Sequence, residues 1–359
     1  MSTIKVTNIK SGSTDDGGIA IDATGHVQVD GLQIPTAGAL SSRNLVINGA
    51  MQVAQRGTQV TGVTTSGYRT CDRMQSNVSN LGTWTFDQST DAPDGFSNSF
   101  KMTCTTADAS PAAGDYVQVS QRIEAQNLQH LKYGTSDAVS LTVSFWVKSN
   151  KTGDASLGLL QPDASFRNVS KSYTINTADT WEYKTVTFPG DASGQIDNNN
   201  DIGLYVNFWL NSGSTFTGGS HQTSWGAQNN PSRNASNLGL GGATSDYWQI
   251  TGFQVEVGEK ATPFEHRSFG DELAKCQRYY WQDDTNSGYY AYQYASGTRF
   301  LPITHPVKMR ATPTATVPTN VTLTAYGAGP YHYKAYGNAS YSSSSAIFTN
   351  GTVKFDAEL

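Results

Sequence analysis

The chain has 359 residues, of which 15% are charged, and its formal net charge at pH 7 is -5. An acidic balance without a cluster of Lys and Arg argues against nucleic acid as a partner, and no apolar run is long enough for membrane insertion. The 35 glycines and 18 tyrosines, among many Ser, Thr and Asn residues, indicate short strands joined by turns. We therefore predict an all-β fold with roughly two or three domains.

The three cysteines are widely spaced and odd in number: Cys71, Cys104 and Cys276. This pattern favours buried free thiols over a disulfide framework. The N-terminus lacks a basic flank followed by an apolar core, so we expect no signal peptide and folding in a reducing cytoplasm.

Residues 1–42 contain short apolar bursts separated by turn residues: IKVTNI, GIAIDA and HVQVDGLQIP. Strands this short cannot enclose a core, so their Ile and Val side chains should be buried against copies of the chain or a partner. We predict an oligomerising and docking arm, with a floppy linker as the alternative.

Residues 43–267 have the two-residue periodicity of strands. The aliphatic faces should form the core of a jelly-roll β-sandwich. Those faces comprise Val139, Leu141, Val143, Phe145 and Val147 in one strand, and Ile202, Leu204, Val206, Phe208 and Leu210 in another. Further strands are expected at 83–88, 99–105, 116–124 and 181–188.

The opposite, outward face carries Trp146, Tyr205, Asn207 and Trp209. A pyranose packs its C–H face on an aromatic ring and needs donors and acceptors for its hydroxyls, so these residues are candidates for binding a carbohydrate. The alternative is that a neighbouring subunit or a loop covers the rings.

Residues 211–236 form a long, polar segment without periodicity, and such loops often carry function. Within it Phe216, His221, Trp225 and Arg233 could stack on or hydrogen-bond a carbohydrate.

Asp197, Asn199 and Asp201 place oxygen ligands at alternate positions, as at the start of a calcium loop. Ile202 stands where that loop needs glycine, and Phe208 where it needs a bidentate glutamate. The alternatives are a structural calcium ion and a plain polar turn. We expect no other cofactor.

Residues 247–257 read as a strand with a bulge at Gly252, and Ser268 can cap a helix within a linking segment at 268–282. The apolar face of this helix should carry Leu273, Cys276, Gln277 and Tyr280 and pack between two β domains.

Residues 283–359 are expected to form a tyrosine-rich C-terminal β domain that ends in a hairpin. In that hairpin Ile347 and Phe348 would face Val353 and Phe355 across an Asn-Gly turn.

The chain has no Gly-x-Ser-x-Gly elbow, no His-Glu-x-x-His and no phosphate loop. We therefore expect a protein that is not an enzyme. Carboxylate pairs able to hydrolyse a glycan cannot be placed from one sequence.

Several phrases together resemble bacteriophage virion proteins, more narrowly tail-fibre or appendage proteins with a carbohydrate-binding-module-like jelly roll. They are RNLVINGAMQVAQRGT at 43–58, VSQRIEAQNLQHLKYG at 119–134, VTFPGD at 186–191, ITGFQVEVGEKATPFEHRSFGDELAKCQRYY at 250–280 and PVKMRATPTATV at 306–317.

The resemblance implies a homotrimeric tail fibre that is assembled in the host cytoplasm and docks to other phage tail proteins through residues 1–42. Its β domains would bind a host cell-surface glycan without cleaving it. The alternatives are a purely structural virion component, such as a tail adaptor, nozzle or head-surface protein, and a glycan depolymerase. The resemblance transfers no binding residues.

Overall fold

The computed structural model describes residues 8–10, 18–21, 27–29, 32–33, 42–283, 299–316, 324–337 and 352–359. These residues form mostly strands, which confirms the predicted all-β class. No helix in these ranges is long and apolar enough to cross a membrane. All three cysteines are buried and free, as the sequence predicted.

Four short strands lie in the predicted N-terminal arm and pair in chain order as an antiparallel sheet. The role of this arm in oligomerisation and docking stays a prediction. The strands are β1 (Asn8–Lys10), β2 (Gly18–Ile21), β3 (Val27–Val29) and β4 (Leu32–Gln33).

The following eleven described strands form one curled sheet, as expected of a jelly-roll-like fold. They are β5 (Gln59–Tyr68), β6 (Gln75–Ser89), β7 (Ser99–Thr106), β8 (Tyr116–Glu124), β9 (Leu141–Ser149), β10 (Gly153–Gln161), β11 (Arg167–Ile175), β12 (Glu182–Phe188), β13 (Ile202–Ser212), β14 (Gly226–Ala227) and β15 (Tyr247–Val257). Two 3₁₀ helices accompany them, at Ala125–Leu131 and Asn230–Ser232.

The long strand β6 makes the sheet fold over on itself. Its first part pairs with β8, while its second part pairs with β7. The order is β12-β9-β15-β7-β6-β8-β13-β10-β11-β14, with β5 paired to β6. The rings of Phe145 on β9 and Phe208 on β13 meet with centroids 5.0 Å apart. Strands β9 and β13 therefore face each other across the core, in opposite layers.

The predicted core faces are confirmed for both strands. The fully buried side chains are Leu141, Val143, Phe145 and Val147 on β9, and Leu204, Val206, Phe208 and Leu210 on β13. Val139 precedes β9 and is partly buried against the core, and Ile202 at the start of β13 is also half-buried.

The predicted bulge in β15 is present. The pairing of β15 with β9 shifts register between Thr251 and Gln254, and Gly252 has a φ of 59°. A Cβ atom at Gly252 would lie 2.8 Å from the ring of Phe96, so glycine meets both a conformational and a steric requirement. The bulge turns Phe253 into the core, where it is fully buried.

The predicted helix is α1 (Phe269–Gln277), and its cap is confirmed. The Ser268 hydroxyl oxygen accepts a hydrogen bond from the backbone N–H of Asp271 at 3.2 Å.

The predicted buried face of α1 is partly wrong. The side chains it buries are Glu272 and Cys276, whereas Leu273 is half-exposed and Tyr280 belongs to the next strand. Glu272 is buried because its Oε1 accepts a hydrogen bond from the backbone N–H of Asn48, at 2.5 Å. A polar contact with the sandwich, which periodicity does not reveal, fixes this side of the helix.

Six further strands are described in the C-terminal part. Strand β21 (Val353–Asp356) lies between β16 (Tyr280–Asp283) and β18 (Thr314–Thr316), and β20 (His332–Gly337) lies between β17 (Arg299–Thr304) and β19 (Thr324–Ala328). Val353 and Phe355 of the predicted hairpin are on β21 and buried, while Ile347 and Phe348 lie outside the described residues. The boundaries of a separate domain at 283–359 stay a prediction.

Candidate functional site

The outer face of β8 and β13 forms a groove, here called the β8–β13 groove, with a volume of about 300 Å³. Amides, hydroxyls, aromatic rings and two guanidinium groups dominate its surface. This volume lies at the small end of the range for ligand sites. The lining residues are Asn77, Tyr116, Gln118, Ser120, Arg122, Leu160, Phe166, Tyr205, Asn207, Gln228 and Arg233.

Strand register aligns the groove's polar groups across the sheet. Ser120 on β8 is opposite Asn207 on β13, and Arg122 is opposite Tyr205. On the other side of β8, Gln118 is opposite Asn77 of β6. Directly opposed residues point to the same face, so three strands supply one continuous polar surface.

The side chains of Asn77, Gln118 and Asn207 in the groove are buried, and one of them has an unused acceptor. Asn77 and Asn207 are 9% and 4% exposed, and the Asn77 Nδ2 donates to the Ser120 hydroxyl at 2.9 Å. The Oε1 atom of Gln118 is buried without a hydrogen-bond partner in the part of the chain that the structure describes. Buried polar atoms normally have a partner, so this one could accept a hydrogen bond from a ligand.

Two aromatic rings, those of Tyr205 and Phe166, line the groove. Tyr205 is half-buried beside Arg122, whose guanidinium carbon lies 5.2 Å from the ring centroid. Phe166 is 50% exposed, and Ser165 and Phe166 have φ values of 60° and 57°. Non-glycine residues rarely adopt this conformation, and surrounding contacts must hold it. One such contact is the hydrogen bond from the Gln228 N–H to the Phe166 carbonyl, at 2.8 Å.

Trp209 does not contribute an open stacking surface, contrary to the sequence prediction. It is 2% exposed, and Phe216 and Tyr116 contact its ring with centroid distances of 5.1 and 5.7 Å. The guanidinium of Arg233 lies over the same indole, 4.8 Å from the ring centroid. The segment 213–236 thus folds back over Trp209, and Arg233 faces the groove in its place.

His221 and Trp225, also predicted to contact a ligand, stabilise this folded segment instead. The two ring nitrogens of His221 lie 3.3 Å from the Ser170 hydroxyl and 2.9 Å from the Ser236 hydroxyl. The indole N–H of Trp225 donates to the Pro189 carbonyl at 2.7 Å. Neither residue lines the groove.

Trp146 is on the other side of the molecule, contrary to its predicted place beside Tyr205. Because β9 and β13 face each other across the core, their outward residues point in opposite directions. Trp146 and Tyr183 line a second cleft of about 560 Å³, here called the Trp146 cleft. Its remaining surface comes mainly from the segments 94–96 and 261–266.

The Trp146 cleft is larger but offers fewer free polar groups. Phe96 packs on Phe264 and His266 with centroid distances of 5.1 and 5.2 Å. The hydroxyl of Thr262 is already hydrogen-bonded to Glu256 at 2.6 Å. A sugar needs several hydrogen-bond partners besides a ring, and the β8–β13 groove provides them more fully.

The predicted calcium residues form a polar turn in the structure. The Asn199 Oδ1 accepts a hydrogen bond from the backbone N–H of Asp201 at 2.9 Å. The backbone N–H of Asp197 donates to the Asp163 carboxylate at 3.0 Å. Within the described residues no group of three His, Cys, Asp or Glu side chains could hold a metal ion. A structural calcium ion at Asp197, Asn199 and Asp201 stays a prediction.

The sequence indicated Tyr205 and Asn207 on an outward strand face and Arg233 in a separate loop segment as candidates, and the structure brings these three together. Sequence reasoning missed Asn77, Gln118, Ser120, Arg122, Phe166 and Gln228. The alternation of polar 118, 120 and 122 with apolar 117, 119 and 123 could have indicated an outward polar face of β8. The positions of Phe166 and Gln228 had no such signal, because they depend on loop conformation.

No family model and no curated protein matches the chain. Among solved structures it is similar to the enzymatically active domain of tailspike protein 4 of bacteriophage CBA120, with a TM-score of 0.32 and 13% identity. That match covers 60% of this chain and 21% of the tailspike chain.

Carbohydrate-binding modules are also among the solved structures to which the chain is similar. A family 11 module from Clostridium thermocellum, in complex with a β-1,3-1,4-mixed-linked tetrasaccharide, has a TM-score of 0.29 and 12% identity over 58% of this chain and 98% of the module. A module described as CBM4 has a TM-score of 0.29 and 14% identity, over 59% of this chain and 98% of that one. Likenesses this low assign neither a ligand nor an activity to the chain.

Proposed function

We propose that this chain binds a polysaccharide in the β8–β13 groove without cleaving it. The observation that carries the proposal is the convergence of amides, hydroxyls and guanidiniums beside the exposed faces of Tyr205 and Phe166. This combination matches a sugar ring, which has an apolar C–H face and hydroxyls at its edge. The unused acceptor of Gln118 gives one hydroxyl a defined partner.

Binding without cleavage is supported by the chemistry of the groove's lining. Most glycoside hydrolases place two carboxyl groups on either side of the scissile bond. The groups that line this groove are amides, hydroxyls, rings and guanidiniums. Incubation with a bound polysaccharide should leave the number of reducing ends constant, and sustained release of ends would favour a depolymerase instead.

Groove variants test the binding proposal. On an array of bacterial surface polysaccharides, Asn207→Ala should weaken binding about fivefold to tenfold, because it removes hydrogen bonds of about 1 kcal/mol each. Tyr205→Ala should weaken it by a similar factor through loss of ring contact. Apparent Kd values from titration of the best-bound polysaccharide provide the measurement.

Tyr183→Ala is the matched control, since it removes a tyrosine from the Trp146 cleft on the opposite layer. It should leave the Kd unchanged. Loss of binding in Tyr183→Ala with full binding in Tyr205→Ala would move the site to the Trp146 cleft.

The proposed biological setting is a homotrimeric phage tail fibre docked to the tail through residues 1–42, and it rests on the sequence phrases that resemble virion proteins. Three weak sites on one particle would bind a surface much more tightly than one. Purified protein should then block phage adsorption. Deleting residues 1–42 should give protein that is absent from virions.

A purely structural virion component is the second candidate. The observation in its favour is Tyr183, which is 44% exposed beside Trp146 on a sheet face that a neighbouring subunit could cover. In that case saturating protein would not compete with phage adsorption, and the array would show no bound polysaccharide.

A further inference from the structure

The two guanidinium groups of the β8–β13 groove differ in their partners. Arg122 already has a close partner, because its Nη1 donates to the main-chain oxygen of Leu359, the last residue of the chain. The Nη1 of Arg233 makes only a long hydrogen bond to the Asn230 side chain, 3.4 Å. Among the described Asp and Glu side chains, none lies within ion-pair distance of Arg233.

Several other arginines of this protein are paired with a carboxylate, whereas Arg43 and Arg69 donate to backbone and hydroxyl oxygens in the described ranges. Arg167 forms a two-pronged ion pair with Asp191 at 2.7 and 3.0 Å. Arg278 forms a two-pronged ion pair with Glu124, at 2.8 and 2.7 Å. A buried guanidinium normally has such a partner because an unpaired charge in a low-dielectric setting is unfavourable.

Arg233 is also partly removed from water by its own neighbours. It stacks over Trp209 and Phe216, with distances of 4.8 and 5.6 Å from the guanidinium carbon to the ring centroids. Burial lowers the pKa of Arg233, although the group stays charged at neutral pH. The stack holds the planar guanidinium in place and leaves its free edge available to an anion.

Tyr205 also lines an adjoining depression, and acidic side chains are found there. Asp163 and Asp201 line this depression together with Arg310, and Asp201 lies 4.0 Å from the Arg310 guanidinium. The lining between Tyr205 and Arg233 is amide, hydroxyl and guanidinium. In a chain whose net charge is -5, the described lining of this groove thus contains Arg233 and no Asp or Glu side chain.

We propose that the groove selects acidic polysaccharides, with an anionic substituent of the sugar paired to Arg233. This inference rests on the proposed function. Carboxylate and phosphate groups both match the guanidinium fork, so the chemistry they share is an oxyanion on a sugar. Neutral glycans would leave the charge of Arg233 unpaired and bind more weakly.

The test uses matched polysaccharides that differ in charge alone. The array pairs each acidic polysaccharide with its carboxyl-reduced form: alginate, polygalacturonate, hyaluronan and polysialate. It also pairs a phosphorylated mannan with its dephosphorylated form. Bacterial surface polysaccharides are included in the same acidic and reduced pairs. We expect at least one acidic member to bind at least about tenfold more tightly than its neutral partner, as loss of a charged hydrogen bond predicts. Comparing the carboxylate pairs with the phosphate pair shows which of the two oxyanions the groove binds more tightly.

Arg233 variants connect the charge preference to this groove. Arg233→Met keeps the stack on Trp209 but removes the charge, so it should abolish the preference for the acidic form. Arg233→Lys should retain part of it, and Lys132→Gln, which removes an exposed charge outside the groove, should change nothing. Melting temperatures identify any variant that fails to fold.

The outcomes separate the two proposals. Equal or tighter binding of the neutral forms, or an acidic preference that survives in folded Arg233→Met, would overturn the charge inference while leaving carbohydrate binding intact. Absence of binding to every polysaccharide on the array would contradict the proposed function itself. Weakening of the acidic complex alone by added salt would support direct ion pairing.

Discussion

At the scale of single residues, the site is built from side chains whose direction the strand fixes and from others whose direction a loop fixes. Tyr205 and Asn207 could be placed from the alternation of β13 alone. The same alternation correctly turned Trp209 outward, but it could not show that Phe216 and Arg233 cover the indole. Whether the Trp209 indole is covered depends on the path of residues 213–236. That segment has no periodicity from which its path could be predicted.

Asp72 provides a residue-scale prediction about stability. It is 1% exposed, and its carboxylate accepts hydrogen bonds from the backbone N–H and the Nε2 of Gln55 at 3.1 and 2.5 Å. Burial raises the pKa of Asp72 to about 6, from 3.8. The folded protein therefore holds this proton more tightly than the unfolded chain. Its stability should fall as the pH rises from about 4 to about 6, by at most about 3 kcal/mol.

Asp72→Asn removes this titration. The free energy of unfolding of the variant minus that of the natural chain should increase between pH 4 and pH 7, as measured by urea unfolding at each pH. A difference that stays constant across that range would show that Asp72 does not titrate as its burial implies.

At the scale of elements, the sequence correctly predicted the features that depend on the residue at a single position. The Gly252 bulge and the Ser268 cap are both present, because a positive φ and a capping hydroxyl are properties of single positions. The buried side of α1 was only partly predicted. Glu272 and Arg278 fix the helix region to the sandwich through polar contacts that a hydrophobic pattern does not reveal.

The ion pair between Arg278 and Glu124 is the element-scale prediction. Glu124 is 0% exposed at the end of β8, and Arg278→Met would leave its carboxylate without the two-pronged partner. We expect a loss of about 3 kcal/mol in the free energy of unfolding, measured by chemical denaturation. The double variant with Glu124→Gln should recover part of the loss. If it recovers none, the pair does not stabilise the fold by charge compensation.

At the scale of the whole molecule, the sequence predicted an all-β sandwich but not its layers. Strand faces follow from alternation, whereas the layer to which a strand belongs follows from long-range pairing. The two-part pairing of β6 puts β9 and β13 on opposite sides of the core, and so separates Trp146 from Tyr205. The aromatic residues that were predicted to share one surface therefore lie on two separate surfaces.

Oligomerisation is the prediction that belongs to this scale. The short strands β1 to β4 should associate between copies, because so small a sheet has little apolar surface to bury alone. Light scattering of the full chain should give three times 38.6 kDa. A monomer at the same concentration would refute the homotrimer and the multivalent binding that depends on it.

The central claim, that a polysaccharide occupies the β8–β13 groove, is tested most directly by hydrogen exchange with and without the best-bound polysaccharide of the array. The backbone amides of the rim, at 163–166 and 228–233, should exchange more slowly in the complex, because the ligand covers these loops. Slower exchange confined to 94–96 and 261–266, which line the Trp146 cleft, would contradict the claim.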